Sequence, residues 1–313
     1  EIRKLAKFRP SPQAMFAVTL LSSCATIMVV QLFPAAPLLH HYPTQLCSEP
    51  TRVLMAVKTY PSHEPLRRAI RETVASQSVT SALPWRVLFY MGHTEDKKTS
   101  SFLRKETRKG DVLIAPYSAE SSNVIPIFIE AARWIVEKCS PRLEYVVHIN
   151  DTTFPDLLGL HEYIGKLDET DRHFHCDDQH FVPVGRHPRD KFYVPKTLYR
   201  DKFLPAHCEP DAFLVKSGHL KALVFASEVI PQYPLFGPYV TGHLTVLARL
   251  GHIDISKRMD LASVHPDWDS CALFVSGIVN ASLWKQYWFN RLLEHRHVTN
   301  VTAFLARKML TST

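Results

Sequence analysis

The chain has 313 residues, enough for one large domain or two small domains with a substantial core. Hydrophobic residues make up 46% and charged residues 21% of the sequence, a composition that excludes a largely disordered protein. The formal net charge of +7 suits anionic partners, but no block rich in lysine and arginine with interleaved aromatic residues is present. We therefore expect no nucleic-acid binding.

Residues 14–33 form an apolar segment, AMFAVTLLSSCATIMVVQLF, that contains no charged side chain. Twenty residues at an α-helical rise of about 1.5 Å match the bilayer core of about 30 Å. Four basic residues precede the segment, whereas the first basic residue after it, histidines aside, is Arg52. This asymmetry predicts a single-pass signal anchor of type II, with residues 1–13 in the cytosol and the remainder of the chain in the lumen.

Two other interpretations of residues 14–33 stay open. A cleaved signal peptide normally has an apolar region of about 7–15 residues followed by a small-x-small cleavage site. Here the run is longer, and Phe33-Pro34-Ala35-Ala36-Pro37 is a poor cleavage site. The other interpretation is a buried core helix. We favour the anchor because its length and its flanking charges agree.

The cysteines indicate the compartment rather than a metal. Six cysteines lie far apart and none forms a CxxC pair, which argues against a zinc ribbon or a thioredoxin-type motif. Five of them follow the predicted anchor and would face an oxidising lumen. Since five is odd, at least one stays free or pairs with another chain, and the sequence does not fix which.

Beyond a proline-containing stretch at residues 34–50, short apolar runs alternate with helical patterns. The runs predict buried strands and the stretches between them predict helices. Predicted strands cover 52–58, 86–91, 111–115 and 145–149, and predicted helices include 63–75 and 124–139. This alternation predicts an α/β fold with a mostly parallel sheet flanked by helices. Ligands of such sheets bind beyond the carboxyl ends of the strands, so we expect chemistry just after Ile149.

A series of short motifs runs in order from Val53 to Asp254. They are Arg67–Thr73 (RRAIRET), a strand ending in Gly92, Lys109–Leu113 (KGDVL) with Tyr117, Asn123, Trp134–Cys139, Tyr145–Phe154 (YVVHINDTTF), Lys191–Pro195 (KFYVP), Tyr199 with Leu204-Pro205, Cys208 and Phe213–Ser217, and Tyr239–Gly242. No motif is specific alone, but their order and spacing are. The chain resembles the β-1,3-galactosyltransferase/N-acetylglucosaminyltransferase family. The resemblance implies a GT-A-like nucleotide-sugar transferase fold behind an N-terminal transmembrane helix.

The resemblance also implies a chemistry. Such a transferase uses a UDP-sugar whose diphosphate carries a divalent cation, usually Mn²⁺, on carboxylate oxygens. A second carboxylate takes the proton of the acceptor hydroxyl in a single inverting displacement. The residues implied for nucleotide-sugar binding are Arg68, Arg71, Thr73, Asn123, Asn150 and Asp151.

Several charged positions of the family motifs differ here. The three-aspartate metal motif reads Asn150-Asp151-Thr152, so Asp151 is the one carboxylate left to bind Mn²⁺. The lysine of the strand motif is replaced by His148. The Glu-Asp pair of the last motif falls on Phe236 and Gly237, neither of which accepts a proton. Glu209 and Asp211 are the remaining candidates for the catalytic base. The scaffold motifs persist while the reactive centre departs from the pattern.

Some of these residues also have plain structural interpretations. Arg68 and Arg71 share a helix face that a solvated basic surface would equally explain, and Asp151 is also suited to capping a turn. The run His173–His180 superficially resembles a metal site, but we predict a solvated loop there.

The remaining signals concern the surface and the C-terminus. Asn150, Asn280 and Asn300 begin glycosylation sequons. We expect glycans on Asn280 and Asn300, because a glycan at the end of the strand before Asp151 would block the cleft. Residues 284–293 predict an amphipathic helix packed on the core, with an exposed aromatic stripe for an acceptor as the alternative.

The predicted organisation is a cytosolic tail (1–13), a signal anchor (14–33), a stem (34–50), a glycosyltransferase-like lumenal domain (51–260) and a C-terminal helical extension (261–313). The predicted function is a Golgi-membrane hexosyltransferase for protein glycosylation. It would transfer galactose or N-acetylhexosamine from a UDP-sugar to a glycan or glycoprotein acceptor in β-1,3 linkage. The alternative is a catalytically degenerate member that acts as a binding or chaperone partner of an active transferase.

Overall fold

A twisted seven-stranded sheet organises the chain in the computed structural model, which describes residues 38–48, 50–139, 142–262 and 272–296. Within these residues the strands are β1 (Val53–Lys58), β2 (Trp85–His93), β3 (Val112–Ser118), β4 (Tyr145–Asn150), β5 (Phe154–Pro155), β6 (His173–Gln179), β7 (His207–Lys216), β8 (Gly251–Asp254), β9 (Met259–Leu261) and β10 (Phe274–Ser276). The helices are α1 (Glu64–Glu72), α2 (Gln77–Ala82), α3 (Lys97–Thr107), α4 (Val124–Lys138), α5 (Leu157–Gly165), α6 (Ser217–Val229), α7 (Leu244–Ala248) and α8 (Ala281–Arg296). A π-helical turn, Gly237–His243, leads into α7.

The main sheet has the order β3-β2-β1-β4-β7-β6-β8. Strands β3, β2, β1 and β4 are parallel, β7 is antiparallel to both of its neighbours, and β8 is parallel to β6. The carboxyl ends of β1, β2, β4 and β6 therefore lie at one edge, and β7 begins at that same edge. We call it the carboxyl edge. The predicted α/β fold with a mostly parallel sheet is confirmed for the described residues.

The apolar strands are covered on both faces, as parallel strands usually are. In β1, Val53, Met55 and Val57 belong to one core cluster, which includes side chains of α1, α5 and α8. Leu54 and Ala56 belong to the cluster on the other face, which includes side chains of α4 and α6. The period-two alternation of strand side chains divides one hydrophobic run between two layers.

The predicted strands and helices named above all form, with ends shifted by a few residues. The solvated loop predicted at His173–His180 is wrong, because residues 173–179 are strand β6. Phe174, His175 and Cys176 are buried, and His175 and Cys176 pair with β7. Because its composition is polar, this run gives no sequence signal of a strand, yet β6 lies within the sheet between β7 and β8.

Two disulfides fasten the described part of the chain. Cys47–Cys139 joins the segment before β1 to the residue after α4, and Cys176–Cys208 joins β6 to β7. Residue His41 also exchanges two backbone hydrogen bonds with Ile114 of β3. The end of the predicted stem thus packs on the sheet, and crosslinks of this kind stabilise a fold largely by restricting the unfolded chain.

The predicted anchor and cytosolic tail lie outside the described residues. Within the described ranges, none of the helices combines the length and the apolar character that a membrane crossing requires. The division of the chain into tail, anchor, stem, lumenal domain and extension stays a prediction.

Helix α8 confirms the predicted C-terminal helix and packs against α1. Trp284 is fully buried, its indole N–H donates to the Thr73 hydroxyl at 2.9 Å, and its ring lies 5.3 Å from that of Phe154. Tyr287 and Trp288 are buried as well. These aromatic residues are core residues, so they do not form the exposed acceptor stripe considered as the alternative.

Replacing Trp284 with alanine should lower the free energy of unfolding by about 3–5 kcal/mol, because it leaves a cavity under α8. Phe289→Ala is the matched control on the same helix, since Phe289 is 54% exposed. It should change stability by no more than about 0.5 kcal/mol. Urea unfolding of both variants checks this, and equal losses would show that α8 is not part of the core.

Candidate functional site

Polar side chains meet at the carboxyl edge, where the sequence predicted chemistry. Lys58 ends β1 and Asn150 ends β4, and the two are partners in the parallel ladder. Asp211 lies in the first half of β7, where its carboxylate accepts a hydrogen bond from the Asn150 amide at 2.8 Å. Asp151 follows directly after β4. Residues from three strands thus converge because β7 runs against its neighbours.

Asp151 is buried, but its surroundings are polar. One carboxylate oxygen accepts hydrogen bonds from the Thr59 hydroxyl at 2.5 Å and from Nδ1 of His63 at 2.8 Å. Both donors follow β1 rather than β4, so Asp151 does not cap its own turn. The carboxylate instead ties the end of β4 to the segment that enters α1.

His63 immediately precedes α1 and its side chain is 35% exposed. The hydrogen bond to Asp151 raises the pKa of His63, with burial acting in the opposite direction. Because Nδ1 donates to Asp151, the other ring nitrogen, Nε2, faces away from the carboxylate. A buried aspartate therefore orients a half-exposed imidazole at the carboxyl edge.

A buried arginine that sequence reasoning missed supports this corner. Arg67 is fully buried and donates to both carboxylate oxygens of Glu106, to the carbonyls of Tyr60 and Pro61, and to the Thr59 hydroxyl. The spacing of RRAIRET could have identified it. Arg67 lies one turn before the apolar Ile70 and therefore on the buried face of α1. The predicted nucleotide-binding residue was its exposed neighbour, Arg68.

Arg71 completes the ionic network between α1, α3 and the start of β3. It donates to Glu106 at 2.6 Å and to Asp111 at 2.7 and 2.9 Å. Burial alone would raise the pKa of Glu106, but the hydrogen bonds and charges of Arg67 and Arg71 lower it overall. Arg71 is therefore held by protein carboxylates rather than directed into the cleft.

The structure brings together only part of the predicted nucleotide-binding set. Asn150 and Asp151 lie side by side at the carboxyl edge. Arg68 is exposed and pairs with Glu64 on the preceding helical turn at 2.7 and 2.8 Å. Arg68 thus has the solvated-surface environment that was its alternative interpretation.

Thr73 and Asn123 also have protein partners. The Thr73 hydroxyl donates to the carbonyl of Ala69 and accepts from Trp284, at the far end of α1. The Asn123 amide donates to the carbonyl and the hydroxyl of Ser118, which shapes the turn before α4. Nucleotide binding by these residues stays a prediction.

A small cleft of about 10 Å³ opens beside the carboxyl ends of β1 and β2. Its lining consists of Lys58, Thr59, Tyr60, Met91, Gly92, Ala119, Glu120, Val124 and Ile127. A side chain at Gly92 would lie 2.6 Å from the carbonyl oxygen of Tyr117 and 2.7 Å from the nitrogen of Ala119. This close approach explains why the strand motif ends in glycine.

Lys58 places an ammonium group on the wall of this cleft. Burial lowers its pKa, while the charges of Asp151 and Asp211 act to raise it. In the described part of the chain no hydrogen bond or ion pair engages its amine, although the ammonium lies 5.7 Å from the ring centre of Tyr60. In the sequence, Lys58 is only the polar end of a hydrophobic strand, so the pattern gives no signal for this position.

The residues at the metal motif do not fit Mn²⁺. Asn150 directs its amide N–H to Asp211, Thr152 is neutral, and Asp151 already accepts two hydrogen bonds. Among the described residues, no group of three or more histidine, cysteine, aspartate or glutamate side chains is arranged to hold a metal ion. A hard divalent cation prefers several oxygen ligands, and the motif itself offers a single carboxylate, that of Asp151.

Two further departures from the family motifs contact each other. His148 stands at the lysine of the strand motif, and Phe236 stands at the glutamate of the last motif. The His148 ring stacks on Phe213 at 4.4 Å and on Phe236 at 5.7 Å, and Phe128 meets it edge-on. An aromatic cluster thus occupies the two positions where the motif has opposite charges.

The candidate bases lie on β7. Burial raises the pKa of Glu209, Asp177 and Asp211 raise it further, and Lys191 lowers it. A carboxylate with a raised pKa is suited to general-base catalysis near neutral pH. Asp211 accepts the hydrogen bond from Asn150, which leaves Glu209 as the less committed candidate of the two.

One of the two predicted glycosylation sites lies within the described residues. Asn280 is exposed before α8, where its side-chain oxygen accepts from the backbone N–H of Leu283. Asn300 falls outside the described residues. Glycosylation at both positions stays a prediction.

Comparison with known proteins identifies several similarities. Residues 66–255 match the family model described as galactosyltransferase. Human beta-1,3-galactosyltransferase 9 is 24% identical over 58% of this chain and 49% of its own length. Human N-acetyllactosaminide beta-1,3-N-acetylglucosaminyltransferase 3 is 25% identical over 64% of this chain and 55% of its own. The chain spans about half the length of the relatives it matches.

Among solved structures, one crystal structure is described as a glycosyltransferase involved in the glycosylation of the major capsid of PBCV-1. It aligns with a TM-score of 0.43 and 13% identity, and it covers 76% of this chain and 99% of its own. This similarity is too low to support an inference about the chain.

Replacing Arg67 with methionine should destabilise the fold by about 3–5 kcal/mol, because Glu106 and the turn carbonyls lose their buried partner. Arg68→Met removes the same charge one residue away, from a solvated pair, and should leave the unfolding midpoint nearly unchanged. Chemical unfolding of both variants measures the difference. Equal effects would contradict the buried network.

Acid should destabilise the fold in part through His148. Burial lowers the pKa of His148 to about 3, whereas the unfolded chain takes up this proton near 6.5. The unfolded state therefore binds more protons as the pH falls below 6.5, so stability decreases, by up to about 1.4 kcal/mol per pH unit for one group. His148→Phe should reduce this slope, as measured by urea unfolding between neutral and mildly acidic pH; an unchanged slope would contradict it.

Proposed function

This chain belongs to the galactosyltransferase family, and from that premise we propose that it is a hexosyltransferase that uses a UDP-sugar. The observation that carries the proposal is the convergence of Lys58, Asn150, Asp151 and Asp211 at the carboxyl edge. Ligands of open α/β sheets bind at this edge, and here it presents a cation, an amide and carboxylates beside a cleft. The names of both human relatives support galactose or N-acetylglucosamine as the sugar and β-1,3 as the linkage.

The transfer needs a group that receives a proton. The acceptor hydroxyl oxygen bonds to the anomeric carbon of the sugar, and the bond from that carbon to the diphosphate breaks with its electron pair leaving on UDP. The hydroxyl proton passes to a base, for which we assign Glu209. Its raised pKa and its position on β7, two residues from Asp211, support this assignment.

The cellular location is part of the proposal. The Cys47–Cys139 and Cys176–Cys208 disulfides are typical of an oxidising compartment, and the exposed Asn280 sequon suits a glycan. Together with the predicted anchor at residues 14–33, they support a type II protein of the Golgi membrane whose transferase domain is lumenal. The proposed acceptor is a glycan or glycoprotein.

One observation favours a second candidate function. The stacked pair of His148 and Phe236 removes two charges of the family motifs, and the metal motif offers no ligand set. A chain that keeps the fold without turnover would act as a binding or chaperone partner of an active transferase. We rank this second because the carboxyl edge retains candidate donor-binding and base residues.

Glu209→Gln should reduce transfer by about 10²- to 10⁴-fold, since glutamine fills the same space but accepts no proton. Glu162→Gln is the matched control, because Glu162 lies on α5 in an exposed pair with Lys166. The assay measures transfer of labelled galactose or N-acetylglucosamine from the UDP-sugar to glycans with different terminal sugars. Equal activity of both variants would exclude Glu209 as the base.

The wild-type chain decides between the two candidate functions. Transfer to any acceptor establishes the enzyme. Absence of transfer with every donor, under conditions where either human relative is active, would overturn it. In that case co-expression should raise the activity of a related transferase, as expected for a partner protein.

A further inference from the structure

Unlike the neighbouring arginines of α1, Lys58 makes no hydrogen bond or ion pair through its amine within the described residues. Arg67 and Arg71 are held by Glu106 and by other buried acceptors, and Arg68 pairs with Glu64. The Lys58 ammonium lines the cleft and, across the described residues, engages no hydrogen bond or ion pair. Asp151 and Asp211 lie near enough for their charges to act on Lys58, but neither forms an ion pair with it in the described residues. A half-buried ammonium without a direct ion pair is a site that an anion would stabilise.

His63 provides a second nitrogen donor, held by the Asp151 carboxylate. Asp151 accepts a hydrogen bond from Nδ1 of His63, and the imidazole is half-exposed with Nε2 turned away from Asp151. The ring centre of Tyr60 lies 5.2 Å from that of His63 and 5.7 Å from Nζ of Lys58. Tyr60 is thus a neighbour of both nitrogen donors.

We propose that Lys58 and His63 together bind the diphosphate of a UDP-sugar without a divalent cation. The proposal deepens the transferase function proposed above and rests on it. Two side-chain donors supply the positive partners that a metal ion supplies elsewhere, and charge-assisted hydrogen bonds to phosphate are among the stronger polar contacts in proteins. Asp151 is then a positioning residue that orients His63 and not a metal ligand.

The electrostatics of the corner agree with this assignment. The negative charge of Asp151 is offset by His63 and by the Thr59 hydroxyl, and Asp211 is engaged by Asn150. Glu120 lines the cleft but is exposed, where solvent screens its repulsion of a phosphate. Asn150 and Thr152 stand where the metal motif of the family has aspartates. A diphosphate that binds without a metal ion therefore meets less negative charge here.

The test measures UDP affinity of the full chain by calorimetry, once in excess EDTA and once with added Mn²⁺. We expect the same affinity in both, within about twofold, and weaker binding of uridine, which lacks the diphosphate. Lys58→Met should weaken UDP binding by about tenfold or more in EDTA and leave uridine binding unchanged. Lys58→Arg keeps the charge and should retain most of the UDP affinity.

Two further variants separate the role of the site from general effects. His63→Asn keeps a donor for Asp151 but removes Nε2, and should weaken UDP binding without changing the unfolding midpoint appreciably. Lys221→Met removes one positive charge from the exposed surface of α6 and should leave UDP affinity unchanged.

The possible results distinguish the two proposals. UDP binding that requires Mn²⁺, or that survives Lys58→Met, would overturn the metal-free site while leaving the transferase function in place. Failure of UDP to bind under either condition would overturn the transferase proposal itself, and the site with it.

Discussion

The guanidinium of Arg67 fixes the short segment that connects β1 to α1. It satisfies the carbonyls of Tyr60 and Pro61 while Glu106 neutralises its charge. The conformation of this segment sets where Thr59 and His63 lie, and these two residues hold Asp151. A buried ion pair of this kind is weak support for stability in itself, but it leaves the segment few alternatives. The positions of Thr59, His63 and Asp151 at the carboxyl edge therefore depend on Arg67.

Much of this architecture is predictable from sequence, and the reason is hydrophobic periodicity. Continuous apolar runs such as 145–149 identify buried parallel strands, and the shared direction of those strands places Asn150 and Asp151 at one edge. The fold and the position of the site follow from these local patterns. The side-chain partners do not, because they join residues far apart in the chain.

The errors have physical causes. Arg68 and Arg67 are adjacent and chemically identical, so only the rotation of α1 against the sheet decides which one is buried. The strand at His173–Gln179 carries histidine and aspartate at positions that composition alone assigns to solvent. Lys58 resembles any polar residue that ends a strand until β4 and β7 place Asp151 and Asp211 beside it.

His148 and Phe236 are far apart in sequence but stack within one aromatic cluster. Both stand at positions where the chain departs from the motifs it resembles. Burying a single unpaired charge is costly, whereas burying well-packed rings is not. The interior around His148 is therefore aromatic, while His63 and Asp151 form a polar contact at the carboxyl edge.

The hydrogen bond between Trp284 and Thr73 has a consequence for how far the chain can be shortened. Helix α1 begins just after His63 and ends just before Thr73. The Thr73 hydroxyl accepts a hydrogen bond from the indole N–H of Trp284 in α8. The segment that carries the family likeness, residues 66–255, includes neither His63 nor Trp284. A splice form or fragment that ends before Ala281 would retain every residue that lines the cleft and still lose the packing of α8 against α1.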